Sequence, residues 1–201
     1  MSTVHSMAAN FHPSALADIY QPDIAIAIWQ RSLRSTITHY AQHLMTVSPN
    51  WQTRFIQHPQ NVAEQLEREL PLLDSRQAFI EDVTQVADMF SCLFELDYVG
   101  LRMAVLSTAM CPKFHVDRIP CRLICTYAGA TTQWHPSENI ERLENGAMNP
   151  RPDATPKSLK LGDVALLKGE AWEGNEGRGL VHCSPPASNI APRLVLTLDF
   201  V

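Results

Sequence analysis

The chain has 201 residues, 45% of them apolar and 18% charged, and a formal net charge of −5. That length suits one sizeable domain, and the composition is too apolar for a disordered chain. The mild acidity, with no Lys/Arg run, offers no electrostatic footprint for nucleic acid and no polybasic patch for a membrane.

The opening stretch MSTVHSMAAN lacks the basic start and apolar core of an export signal. The apolar run IAIAIW at 24–29 is far short of the roughly 20 residues that span a bilayer. Five cysteines, an odd number without a familiar disulfide spacing, point to reduced thiols and a cytoplasmic protein.

In chain order, DIAIAIW reads as a short strand. SLRSTITHYAQHLMTV reads as an amphipathic helix with Leu33, Ile37, Tyr40 and Leu44 on one face. NVAEQLEREL is a second helix, stopped by Pro71. DSRQAFIEDVTQVADMFSCLFEL is the strongest, with Asp74 as N-cap and Gln77 completing a capping box. Its stripe of Phe79, Ile80, Val83, Val86, Phe90, Leu93 and Phe94 should pack on a sheet. After residue 97 the pattern turns to strands: VGLRMAVLSTAM, CRLICTY, TTQW, DVALLKG, GLVHCS and RLVLTLDF, separated by turns such as EGNEG and SPPASNIAP. Asn145 to Lys157 reads as an exposed Pro-rich loop. The expected class is α+β in a single domain, with a mainly helical part (1–97) packed against a strand-built part (98–201) of sandwich or barrel type.

The stretch CPKFHVDRIPC places His115 and Asp117 two residues apart, so on an extended chain both side chains point the same way. Imidazole and carboxylate on one side can be two ligands of a divalent metal. His182, 65 residues after Asp117 in GLVHCSP, is the natural third. Two histidines and a carboxylate form a facial triad that leaves metal positions open. Arg193 opens RLVLTLDF eleven residues after His182 and shares a strand face with Val195 and Thr197. A guanidinium fork inside a barrel suits a dicarboxylate that chelates the metal at its other end. The plain alternatives are a surface strand in which Asp117 pairs with Arg118 or Arg122, and an Arg193 neutralised by Asp199 or Glu170.

The cysteines argue against a structural zinc knuckle. Cys111, Cys121 and Cys125 are spaced C-x9-C-x3-C, and strand rise would put the last two about 13 Å apart. Strand alternation turns Cys183 away from the side of His182. Cys92 belongs to the third helix and is expected in the core. Cys111 and Cys183 remain auxiliary-ligand candidates. His39 and His43 lie one helical turn apart on what reads as a solvated face, and His135 is a substitute ligand should His115 not coordinate. Trp134 and Trp172 read as packing residues. No phosphate-binding glycine loop and no nucleophile elbow is present.

The ordered set H-x-D, GDVALLKG, distal His, then Arg resembles the iron(II)- and 2-oxoglutarate-dependent oxygenases over roughly residues 100 to 201. The resemblance implies a double-stranded β-helix (jelly-roll) core in the C-terminal half, with Fe(II) held by His115, Asp117 and His182. It implies 2-oxoglutarate anchored by Arg193, with Thr197 or Tyr127 assisting and Arg102 as the alternative arginine, and a substrate of unknown identity. Over most of its length, in CPKFHVDRIPCRLICTYAG, GDVALLKGE and GLVHCSP, the chain is similar to the bacterial family called domain of unknown function 1826. That family's association with zinc-responsive gene neighbourhoods and metallochaperone-type GTPases implies an alternative: a non-redox zinc-binding accessory protein with such a GTPase as partner.

Overall fold

The computed structural model describes residues 6–143, 148–188 and 191–201. The first five residues of the opening stretch, residues 145–147 of the expected loop and residues 189–190 of SPPASNIAP lie outside these. The elements are β1 (Ser6–Asn10), β2 (Ile24–Trp29), α1 (Ser35–Val47), β3 (Gln52–Gln57), α2 (Val62–Glu69), α3 (Arg76–Phe94), β4 (Val99–Leu106), β5 (Cys121–Ala128), β6 (Gln133–His135), β7 (Ile140–Arg142), β8 (Met148–Pro150), β9 (Lys157–Ser158), β10 (Val164–Lys168), β11 (Val181–Cys183) and β12 (Arg193–Asp199).

A seven-stranded sheet runs in the order β1-β2-β10-β5-β12-β4-β3. It is antiparallel throughout except for the β1–β2 pair. A three-stranded sheet, β11-β6-β9, lies apart from it, and β7 and β8 form a separate ribbon. The fold is thus mixed α/β around one large sheet. The expected split at residue 97 does not describe it: β1, β2 and β3 all come from the earlier half, so the sheet is not a C-terminal property. QTRFIQ, the β3 sequence, escapes a hydrophobic reading because an edge strand needs little apolar surface and carries polar residues on its open side.

The alternation along β12 sorts the two sheet faces. Leu194, Leu196 and Leu198 join Ile37, Tyr40 and Leu44 of α1 and Phe79, Val83, Val86 and Phe90 of α3 in the principal core. Val195 points the other way, into a second cluster with Ile26, Ile124, Leu167, Trp134 of β6 and Leu180. Arg193, Thr197 and Asp199 share that second face by strand parity. Burial of both faces explains why β2 and β10 are nearly all apolar.

Two local expectations change. The N-cap position of α3 is Ser75, with φ 67 and no side-chain cap bond, so Asp74 forms no capping box. Cys92 is exposed, because it falls on the side of α3 opposite the core stripe. No helix among the described residues is long and apolar enough to cross a membrane.

Candidate metal centre

The H-x-D segment lies between β4 and β5 and is held by main-chain bonds. His115 and His182 form an antiparallel bridge, each N–H donating to the other's carbonyl at 3.0 Å. The Glu170 N–H donates to the Asp117 carbonyl at 2.9 Å, and the Gly169 N–H to the Pro120 carbonyl at 2.8 Å. A Cβ on Gly169 would lie 1.9 Å from the Ile119 oxygen and 2.9 Å from the Asp117 oxygen. The glycine that ends GDVALLKG therefore lets this segment seat against the end of β10.

The three side chains converge. His115, Asp117 and His182 each offer a ligand atom, all within 4.8 Å of one another. His182 Nε2 is 3.6 Å from Asp117 Oδ2, and His115 Nε2 is 3.8 Å from Asp117 Oδ1. Such separations are too long for good hydrogen bonds and suit atoms arranged around a common ion. The other ring nitrogens are engaged: His115 Nδ1 lies 3.0 Å from the Lys113 carbonyl and His182 Nδ1 lies 3.1 Å from the Leu180 carbonyl. Donation there fixes the tautomer that leaves each Nε2 lone pair free for a metal. Burial lowers the pKa of His182, against the opposing pull of Asp117, and so favours its neutral, ligating form.

Arg122 supports the carboxylate. Its Nη1 donates to Asp117 at 3.0 and 3.2 Å, while Nε and Nη2 grip Asp199 at 2.7 and 2.9 Å. The Asp117–Arg122 pair weighed as a plain alternative is thus present together with the triad rather than instead of it. Asp199 is taken by Arg122, and Arg193 has another environment.

Arg193 is 1% exposed. Its Nη2 donates to Thr132 Oγ1 at 3.2 Å and lies 3.4 Å from Thr126 Oγ1. Its Nε and Nη1 have no partner among the described residues. Burial pushes its pKa down to about 10, with only partial compensation from Cys183. A buried guanidinium without a counter-anion is costly, and its geometry fits a bidentate carboxylate. Gly129 makes room for it: at φ +83 the turn after β5 runs so close that a Cβ would sit 2.7 Å from Arg193 Cα. Thr126 and Thr132 were missed by the sequence reading. Thr126 had a signal in its alternation with Arg122 and Ile124 along β5; Thr132 had none.

The other candidates disperse. Tyr127 points to the helix face of the large sheet, where its hydroxyl donates to Asp82 at 2.8 Å and its ring packs on Phe79. It is corrected from an assisting site residue to a core residue: odd positions of β5 face the helices. Thr197 and Arg102 are cross-strand neighbours on the site face, four residues along β12 from Arg193, and both line an open cleft. His135 is buried against Phe114, ring centroids 4.5 Å apart, outside the triad. His39 and His43 face each other with centroids 6.0 Å apart and belong to no three-residue cluster among the described residues. All five cysteines are free. Cys121 and Cys125 are buried on the helix face, where burial pushes both thiols up, Cys125 to about 11.

Among solved structures the chain is similar to a rice dioxygenase for auxin oxidation, at 11% identity over 85% of this chain and 64% of that one, TM-score 0.42. It therefore spans less than two thirds of that protein. It is also similar to a Pseudomonas putida prolyl-4-hydroxylase, at 12% identity over 93% and 96% of the two chains, TM-score 0.47. A third is a putative oxygenase from Shewanella oneidensis, at 11% identity over 97% and 88%, TM-score 0.49. No curated protein sequence matches. A family profile described as protein of unknown function (DUF1826) matches residues 10–199.

Proposed function

The chain belongs to the DUF1826 family, and we propose that it acts as an iron(II)- and 2-oxoglutarate-dependent oxygenase. The observation that carries the reading is a pairing: a convergent His115–Asp117–His182 cluster, and, eleven residues after His182 in the chain, a buried Arg193 whose Nε and Nη1 have no partner among the described residues. A metal alone would account for the first and leave the second unexplained. A dicarboxylate that chelates a metal and pairs with a guanidinium accounts for both. The zinc-only alternative lacks this support.

The strand order favours a double-stranded β-helix. Following the chain, β4 lies in the large sheet, the His115 bridge beside β11, β5 in the large sheet, β6 and β9 in the small one, β10 in the large, β11 in the small and β12 in the large. The resulting rows, β10-β5-β12-β4 and His115 segment-β11-β6-β9, support a jelly-roll reading in which the two rows would close around the second apolar cluster.

In this reading His115 and His182 hold the metal through Nε2 and Asp117 through its carboxylate. Iron(II) with 2-oxoglutarate, when bound, supplies oxidising power from O₂ while the cosubstrate is decarboxylated to succinate. The protein's own part is placement. Arg122 fixes the Asp117 carboxylate, the Lys113 and Leu180 carbonyls orient the imidazoles, and Arg193 with Thr126 and Thr132 receives the distal carboxylate. Ile124, Val195 and Trp134 keep bulk water from the interior.

Anaerobic calorimetry with Fe(II) tests this. 2-Oxoglutarate should bind at one equivalent, require the metal, and yield succinate once O₂ is admitted. A folded, iron-loaded protein that binds no 2-oxoglutarate would end the reading.

A further inference from the structure

Beside the triad, the site face of the large sheet opens into a cleft of about 210 Å³ lined by Arg54, Arg102, Arg122, Thr197, Asp199 and Met110. Arg54 on β3 and Arg102 on β4 are direct cross-strand partners. Like charges placed opposite each other in an antiparallel pair destabilise the sheet unless something offsets them. Asp199, the one acidic side chain among the described residues lining the cleft, beside the last residue Val201, is taken by Arg122, whose third nitrogen holds Asp117. Among the described residues no carboxylate pairs with Arg54 or Arg102. The cleft therefore carries surplus positive charge on a chain whose net charge is −5. Thr197, adjacent to Arg102 in register, adds a hydroxyl. Met110, on the segment leading to His115, forms a wall.

We infer that this cleft binds the oxyanion of a small substrate, a phosphate or a carboxylate, between Arg54 and Arg102, and so presents the rest of that molecule to the metal centre. The inference rests on the proposed function for the role of the bound molecule, and on the arginine pair alone for anion binding. Arg122 connects the two places, since one guanidinium reaches both the cleft's Asp199 and the triad's Asp117. The space admits a small molecule and not a folded partner. Two guanidinium forks side by side match the several acceptor oxygens of one oxyanion.

The test uses the full chain and two probes, inorganic phosphate and acetate, titrated by calorimetry at low and high salt. One of them should bind, more weakly as salt rises. The affinity should drop about tenfold or more in Arg54→Gln and in Arg102→Gln. It should survive largely in Arg102→Lys and be unchanged in Arg68→Gln, an exposed α2 arginine outside the cleft. Tighter phosphate assigns a phosphorylated substrate, tighter acetate a carboxylate one. If neither probe binds a chain that circular dichroism shows to be folded, the inference is wrong. It is equally wrong if binding persists in both cleft variants. Anaerobic 2-oxoglutarate binding is measured on the same samples. Loss of that alone removes the oxygenase reading and leaves the anion cleft, and loss of probe binding alone does the opposite.

Discussion

Two arginines, Arg193 buried and Arg31 largely so, sit on opposite faces of the same sheet, and their surroundings differ in one respect. On the helix face, Arg31 donates Nη1 and Nη2 to Asp82 at 2.7 and 2.9 Å and Nε to the Gly162 carbonyl at 2.8 Å. Burial is the largest single influence and pulls its pKa down, but the bond to Asp82 together with the acidic groups around it outweighs burial, and the net shift is upward. On the site face, Arg193 has two threonine hydroxyls and, among the described residues, no carboxylate, and its pKa falls. A charge with its counter-charge inside the fold belongs to the fold. On the proposed reading, a charge without one is kept for a ligand that arrives from outside, at a cost in stability.

The comparison can be broken most severely at Asp82. Asp82→Ala strips Arg31 of its partner and should lower unfolding free energy by about 3–5 kcal/mol. Urea denaturation reads this directly, and a loss below about 1 kcal/mol would mean that Arg31 is solvated after all. Next in size is Arg193→Met. It should weaken 2-oxoglutarate binding about 100-fold, since two charge-assisted bonds are lost. Stability should stay level or rise, because the buried charge is removed and no internal counter-charge is orphaned. A marked fall in melting temperature would show that Arg193 is a structural residue like Arg31.

Tyr127→Phe removes one hydrogen bond from the Asp82 network and should cost about 1 kcal/mol. It should leave 2-oxoglutarate affinity untouched, and a changed affinity would return Tyr127 to the site. Smallest is a gradual effect of pH on the metal-free chain. Burial lowers the pKa of His182 and of His135 below 6.5, so between those native values and 6.5 the unfolded chain holds more protons. Stability should be complete above about 6.5 and decline as pH falls through that window. Thermal melts in chelator across pH 5 to 8 check the sign, and His182→Asn should flatten the slope.

Much of this was readable from residue order, and what was not has physical reasons. The i, i+2 spacing of His115 and Asp117 is a local rule of extended chain, so their shared direction follows from the sequence alone. The α3 stripe is likewise local. Which face of β5 looks inward is not: Cys121, Leu123, Cys125 and Tyr127 alternate with Arg122, Ile124 and Thr126, and both sets are compatible with burial. Only the packing of α1 and α3 decides it, and that decision sent Tyr127 to Asp82 and left Thr126 beside Arg193. The pairing of Arg54 with Arg102 is equally invisible in sequence, because it joins strands 48 residues apart and depends on register. Asp74 failed as a cap because the chain enters α3 through a left-handed residue, which removes the extended geometry a capping box needs.

Gly169 has a consequence beyond making room. With its N–H on Pro120, its neighbour's N–H on Asp117 and the His115–His182 bridge alongside, the two remote stretches that supply the triad are sewn together by main chain. The ligands are therefore gathered by folding itself. On the proposed reading, metal entry would be capture by a finished cage, and a chelator should lower the melting temperature only by mass action, without dissolving the fold as it does in a zinc finger.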